Sequence, residues 1–161
     1  MRTATPTSRL WTPSSGSVEV VLSASPDPTC MVGVWLVGLE EDAHEDSGEI
    51  CLAELFGDRL GPDGSTVRLG VKAHHDPRLR TDLADVRLPM DATAPHAYAA
   101  RWDAAGVRLL VDGETIWTSA QVLAYPLQLM IDLFEFPAGP RDPAGYPRTA
   151  VVRSVTGTTG G

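Results

Sequence analysis

Gly48-Glu49-Ile50-Cys51-Leu52-Ala53-Glu54-Leu55-Phe56-Gly57 is a β-forming run bounded by glycines, and it carries two carboxylates in an apolar setting. Side chains of a strand alternate between its faces, so Glu49 and Cys51 share one side. In a regular strand Glu54, five residues from Glu49, points to the other side. One extra residue near Leu52 and Ala53, a β-bulge, returns it to the side of Glu49. The segment therefore predicts a bulged strand that presents Glu49, Cys51 and Glu54 to one cleft. The competing reading is a regular strand with a solvated outer face.

The neighbouring segments are β-like as well. Cys30-Met31-Val32-Gly33-Val34-Trp35-Leu36-Val37 is apolar on both faces, as expected of a central strand in a two-layer sandwich. A hairpin between it and residues 49–56 sets Cys51 opposite residues near 36. Cys30 then lies roughly 20 Å away at about 3.3 Å per residue, so two free thiols are expected. Ser17-Val18-Glu19-Val20-Val21-Leu22-Ser23 places Val18, Val20 and Leu22 on one side. After the Gly61-Pro62-Asp63-Gly64 turn, residues 67–72 form the next strand. Residues 74–95, rich in Asp, Pro and Arg, read as irregular. Residues 97–102 are a strand, and residues 107–111 pair back onto 115–117 through Asp112-Gly113, a strong hairpin signal. Residues 127–136 alternate, with Leu127, Leu129, Ile131 and Leu133 on one face and Gln128, Met130, Asp132 and Phe134 on the other. Residues 149–155 close the series. No long amphipathic helix is evident, and many short strands with turn signals argue for an all-β sandwich of two antiparallel sheets.

A chain of 161 residues fits one domain over 1–161, with its core at about 10–156 and flexible ends. With 21 acidic against 13 basic residues the net charge is −8, which disfavours a nucleic-acid partner. No basic cluster reads as a membrane patch, and no apolar run approaches the roughly 20 residues that span a bilayer. Residues 1–6 lead into no apolar h-region, so no signal peptide is expected. Lys72 is the only lysine. Two cysteines are too few for a disulfide scaffold, and their spacing matches no zinc pattern.

Gly48-Glu49-Ile50-Cys51-Leu52-Ala53-Glu54 resembles the G-E-I-D-I-x-E signature of glycoside hydrolase family 16, the laminarinase-like β-glucanases. The flanks agree with this. Ser17-Val18-Glu19-Val20 resembles the family's G-x-F-E-A-R strand, and Val34-Trp35-Leu36 its A-F-W-L strand. Pro95-His96-Ala97-Tyr98-Ala99-Ala100-Arg101-Trp102 is similar to F-H-x-Y-A-x-x-W, and Leu110-Val111-Asp112-Gly113 to F-Y-V-D-G. Tyr125-Pro126-Leu127-Gln128-Leu129-Met130-Ile131-Asp132-Leu133 resembles P-M-x-L-x-L-N-L, and Thr149-Ala150-Val151-Val152-Arg153 the closing V-D-Y-V-R strand. In this order the pieces cover most of the chain from about residue 10.

The resemblance implies a concanavalin A-like jelly roll and a retaining endo-glycosidase acting on β-linked glucan-like polysaccharide. Glu49 would be its nucleophile and Glu54 its acid/base. A non-catalytic carbohydrate-binding module derived from such an enzyme is the rival. Two departures bear on that choice. Family members run well beyond two hundred residues, with strands ahead of the point where this chain begins, so an N-terminal truncation with exposed sheet edges is expected. Cys51 stands where the motif has an aspartate that orients the nucleophile; a thiol is a weak donor and mostly neutral at pH 7, so the glutamates lose a negative neighbour. Cys51 is thus either a small buried hydrophobe beside the site or a reactive thiol. Trp35 either stacks on a sugar ring or fills the core. Lys72 or His74 stands where the family carries a cleft histidine, although a polar loop explains them equally well. In the resemblance the face of Gln128 and Asp132 lines the cleft, where both would contact hydroxyl groups. Trp102 and Trp117 read as core. The acidic loop at 40–46 reads as solvated rather than cation-binding. No cofactor or catalytic metal is expected, although the family allows a structural calcium. Its members are usually secreted; the compartment of this chain is left open.

Overall fold

The computed structural model describes residues 9–41, 43–137 and 145–160. The strands are β1 (Gly16–Ser23), β2 (Cys30–Gly38), β3 (Glu49–Phe56), β4 (Ser65–Lys72), β5 (Asp82–Leu88), β6 (His96–Asp103), β7 (Gly106–Val111), β8 (Glu114–Ser119), β9 (Leu127–Glu135) and β10 (Val151–Thr159). A 3-10 turn spans Gly57–Arg59. The strands form two five-stranded antiparallel sheets, ordered β10-β1-β6-β7-β8 and β5-β4-β3-β2-β9. This is a jelly-roll sandwich.

The alternation read from the sequence puts the core between the layers. Val18, Val20 and Leu22 of β1, with Tyr98, Trp102 and Leu109 of the same sheet, are buried against Val32, Val34 and Leu36 of β2 in the other. Strand β2 is apolar on both faces because Met31 and Trp35 on its other side form a second, smaller cluster with Cys51 of β3. The Asp112-Gly113 hairpin forms as expected: both residues take positive φ, 50° and 83°, which a two-residue turn of this hand requires.

Part of the segment read as irregular is the strand β5, which pairs with β4 from Ser65↔Leu88 to Val71↔Asp82. It is an edge strand, and its exposed face carries Leu83 as well as Asp85 and Arg87, which blurs the alternation. An Arg68–Asp85 ion pair at 2.7 Å ties it to β4. The closing strand runs further than the sequence suggested, to Thr159, and every residue of it is exposed. Trp11 is half-buried and packs edge-on to Trp102 at 6.5 Å. Trp102 is core and Trp117 packs against it, as expected.

Cys30 and Cys51 are both free and buried. Cys51 faces Trp35 on β2, and Cys30 lies at the far end of that strand. Both thiols are expected to resist a thiol reagent in the native protein and to react after denaturation without reduction. Mass spectrometry of the labelled chain checks this; a chain lighter by two hydrogens would contradict the β2–β3 register.

Candidate functional site

The bulge expected in β3 is present and decides the site. On one side Trp35 pairs with Cys51 and Val34 with Ala53, which leaves Leu52 without a partner. On the other, Cys51 pairs with Gly70 and Glu54 with Arg68. Leu52 and Ala53 both enter the core, so Glu49, Cys51 and Glu54 all face away from it. One donor atom from each of these three residues lies within 4.8 Å of the others.

Both glutamates are nearly buried, Glu49 at 6% and Glu54 at 7% exposure, so each carboxylate needs partners. Lys72, from the end of β4, supplies them. Its ammonium donates to Glu54 Oε1 at 2.6 Å and stands 2.8 Å from Glu49 Oε1, off the direction of a good hydrogen bond. Burial works against the charged amine, yet the contacts with Glu49 and Glu54 outweigh it, and the Lys72 pKa rises above its ordinary value. Lys72 is therefore a fixed cation here. His74 Nε2 reaches Glu49 Oε2 at 3.0 Å from a backbone with φ of 46°. The Trp35 indole N–H donates to Glu54 Oε1 at 3.3 Å.

Cys51 settles as the buried hydrophobe. It is fully buried, its thiol donates to the Arg68 carbonyl at 3.7 Å, and burial followed by the Glu54 charge pushes its pKa well above the ordinary thiol range. It brings no charge to the pair of glutamates. Trp35 belongs to the smaller apolar cluster on the cleft side of β2, outside the main core. It is 93% buried over Gly33, where an added Cβ would fall 2.0 Å from the ring, and it also floors the cleft. Phe134 meets it edge-on at 5.8 Å.

The cleft above these residues has a volume of about 280 Å³ and is lined by Trp35, Glu49, Lys72 and His74, with Asp132 and Phe134 from β9. Of the candidates from sequence, Trp35, Lys72, His74 and Asp132 line it together with Glu49. Cys51 and Glu54 share the face of Glu49 but do not line this cleft; Glu54 contacts Lys72 and Trp35, which do. Neither does Gln128. It is exposed and lines a neighbouring, larger depression of about 550 Å³ with Trp11 and Glu41, because it lies opposite Val37 near the end of β9. The acidic loop is paired through Arg9–Glu41 at 2.7 Å, His44–Glu40 at 3.1 Å and Arg78–Asp46 at 2.7 Å; Asp42 lies outside the described residues.

A supporting network escaped the sequence reading. The Tyr125 hydroxyl accepts from the Gly48 N–H at 3.0 Å and donates to Asp76 Oδ2 at 2.8 Å. The Asp76 side chain is fully buried and pairs with Arg78 Nε at 2.7 Å. Burial opposes its charge, but hydrogen bonds from Arg78 and Tyr125 prevail and hold the carboxyl below the usual range. Ser47 Oγ accepts from the His75 N–H at 2.9 Å. These contacts pin Ser47 and Gly48 immediately before Glu49. Tyr125 is 49 residues from Asp76, and no local pattern announces such a pair.

No family model matches the sequence, and no curated protein sequence matches it. Solved structures do match its fold. The chain is similar to an endo-1,3-β-glucanase (laminarinase) catalytic domain from Thermotoga petrophila, with a TM-score of 0.74 and 18% identity over 91% of this chain and 64% of that one. It is also similar to a GlcNAcα1-4Gal-releasing endo-β-galactosidase from Clostridium perfringens, with a TM-score of 0.73 and 19% identity over 88% of this chain and 37% of that one. A Bacillus licheniformis β-glucanase aligns with a TM-score of 0.62 and 20% identity over 78% of this chain and 56% of that one. The fold is thus the jelly roll of these glycoside hydrolases, and the chain spans between about a third and two thirds of their length.

Proposed function

We propose that the cleft is the active site of a retaining endo-glycosidase acting on β-linked, glucan-like polysaccharide. Glu49 attacks the anomeric carbon as the glycosidic C–O bond breaks, and Glu54 gives its proton to the departing oxygen. Glu54 then takes a proton from the water that releases the sugar from Glu49. The observation that carries this reading is the bulge, which brings carboxyl oxygens of two nearly buried glutamates within 4.8 Å on one face. Carboxyl oxygens this close are compatible with the roughly 5–5.5 Å between carboxyl groups in retaining enzymes. Phe134, exposed beside the edge of Trp35, offers aromatic surface for a sugar ring, and Asp132 an acceptor for hydroxyl groups. The polysaccharides in the names of the structural neighbours support the substrate class.

A second reading, a carbohydrate-binding module without turnover, is favoured by the neutral, buried Cys51 and by the cation seated between the glutamates. The test is release of reducing ends from laminarin, lichenan and agarose. Release from any of them that depends on Glu49 supports the enzyme. Binding without release supports the module, and neither binding nor release refutes both.

A further inference from the structure

The position of Lys72 bears on how this cleft treats a sugar. Its ammonium lies 2.8 Å from Glu49 Oε1 and 2.6 Å from Glu54 Oε1, so one cation touches both carboxylates. It is held there from several sides. The Trp35 ring faces the ammonium at 5.5 Å, and β4 pairs Lys72 directly with Glu49. The lysine side chain is 21% exposed, so water screens these contacts little. Glycoside cleavage passes through a state with positive charge on the sugar ring, and two bare carboxylates would stabilise that charge. In this chain a positive charge is already in place.

We propose that Lys72 is a built-in counter-cation. Its ammonium fills the position between Glu49 and Glu54 where a sugar's developing positive charge would be stabilised, so the cleft accepts neutral sugar and discriminates against a cationic one. This rests on the carbohydrate reading above. It makes Lys72 a determinant of ligand charge, and it slows turnover without closing the cleft.

The experiment compares two probes by calorimetry: laminaritetraose, which is neutral, and isofagomine, an imino sugar that is cationic at pH 6. Wild type, Lys72→Met, Lys72→Gln and Lys72→Arg are measured at that pH, with circular dichroism to verify the fold. The wild type is expected to bind isofagomine no more than tenfold tighter than the tetrasaccharide. Lys72→Met and Lys72→Gln should raise the ratio of isofagomine to tetrasaccharide affinity tenfold or more; Lys72→Arg, which keeps the charge, should leave the ratio unchanged. Should both neutral variants fail to fold, the wild-type ratio decides alone: a preference above tenfold for isofagomine overturns the proposal. An unchanged ratio in the folded neutral variants also overturns it, and leaves the carbohydrate reading standing because the tetrasaccharide still binds. No binding of laminari-, cello- or agaro-oligosaccharide by any form removes the carbohydrate reading, and the proposal with it.

Discussion

Glu49→Gln is expected to lower reducing-end release from a susceptible β-glucan by about three orders of magnitude or more, with sugar binding largely retained. The amide matches the carboxylate in size, and the bulge that places it depends on backbone pairing rather than on the side chain. What is lost is the nucleophile, along with the negative charge facing Lys72 and His74. Glu54→Gln should be equally damaging on polysaccharide and less so on aryl glycosides with good leaving groups, which need little protonation. Cys51→Asp works in the opposite direction. It places a third carboxylate beside Glu49 and Glu54, gives Lys72 another partner, and restores the residue type that the resembling motif carries. Turnover is expected to rise, together with some loss of stability from burying a charge in a fully enclosed position. Initial rates on laminarin, lichenan and agarose check all three variants. Turnover that survives Glu49→Gln unchanged would falsify the assignment of the nucleophile.

Asp76→Ala is expected to cost about 3 kcal/mol of stability, or roughly 6–12 °C in Tm for a domain of this size. The wild-type carboxylate is enclosed and accepts from Arg78 Nε and Nη2, from the Arg78 backbone N–H and from the Tyr125 hydroxyl. Arg78 is half-exposed and keeps Asp46 as a partner, so the loss falls at the lower end of the range for broken buried pairs. The pH dependence has a definite sign. The folded-state pKa of Asp76 is depressed, so its contribution is complete above the unfolded value of about 3.9 and fades as pH falls through the lower folded value. The gap between wild type and variant in denaturant titrations should therefore be constant from about pH 5 to 8 and narrow below about pH 4. A gap that persists unchanged at pH 2 would show that packing, rather than the charge, is responsible. Because Tyr125 also holds Gly48, the same variant should weaken whatever the cleft binds.

The sandwich was legible because strands sealed between two layers must alternate or be apolar throughout, and β1, β2, β7 and the face of β9 toward the core do so. The bulge was legible for a related reason. Two carboxylates five residues apart in an apolar strand are tolerable together only if an extra residue brings both to the side away from the core. The edge strand β5 was not, since a strand with an exposed face and one free edge need satisfy only half of the pattern.

The amino-acid sequence by itself determined the two-layer β architecture, the shared face of Glu49, Cys51 and Glu54, and the separation of the two thiols. The first follows from short-range periodicity; the other two add one bulge and one hairpin register between neighbouring segments. Tertiary structure alone decided that Lys72 bridges both glutamates, that Trp35 lies over Gly33 as the cleft floor, that Gln128 falls outside the cleft, and that Tyr125 and Asp76 brace the start of β3. These depend on which strands become neighbours and in what register, and on side chains that reach across 18 to 77 residues of sequence to satisfy buried charge. Desolvation sets that requirement, and it acts only once the sheets have closed.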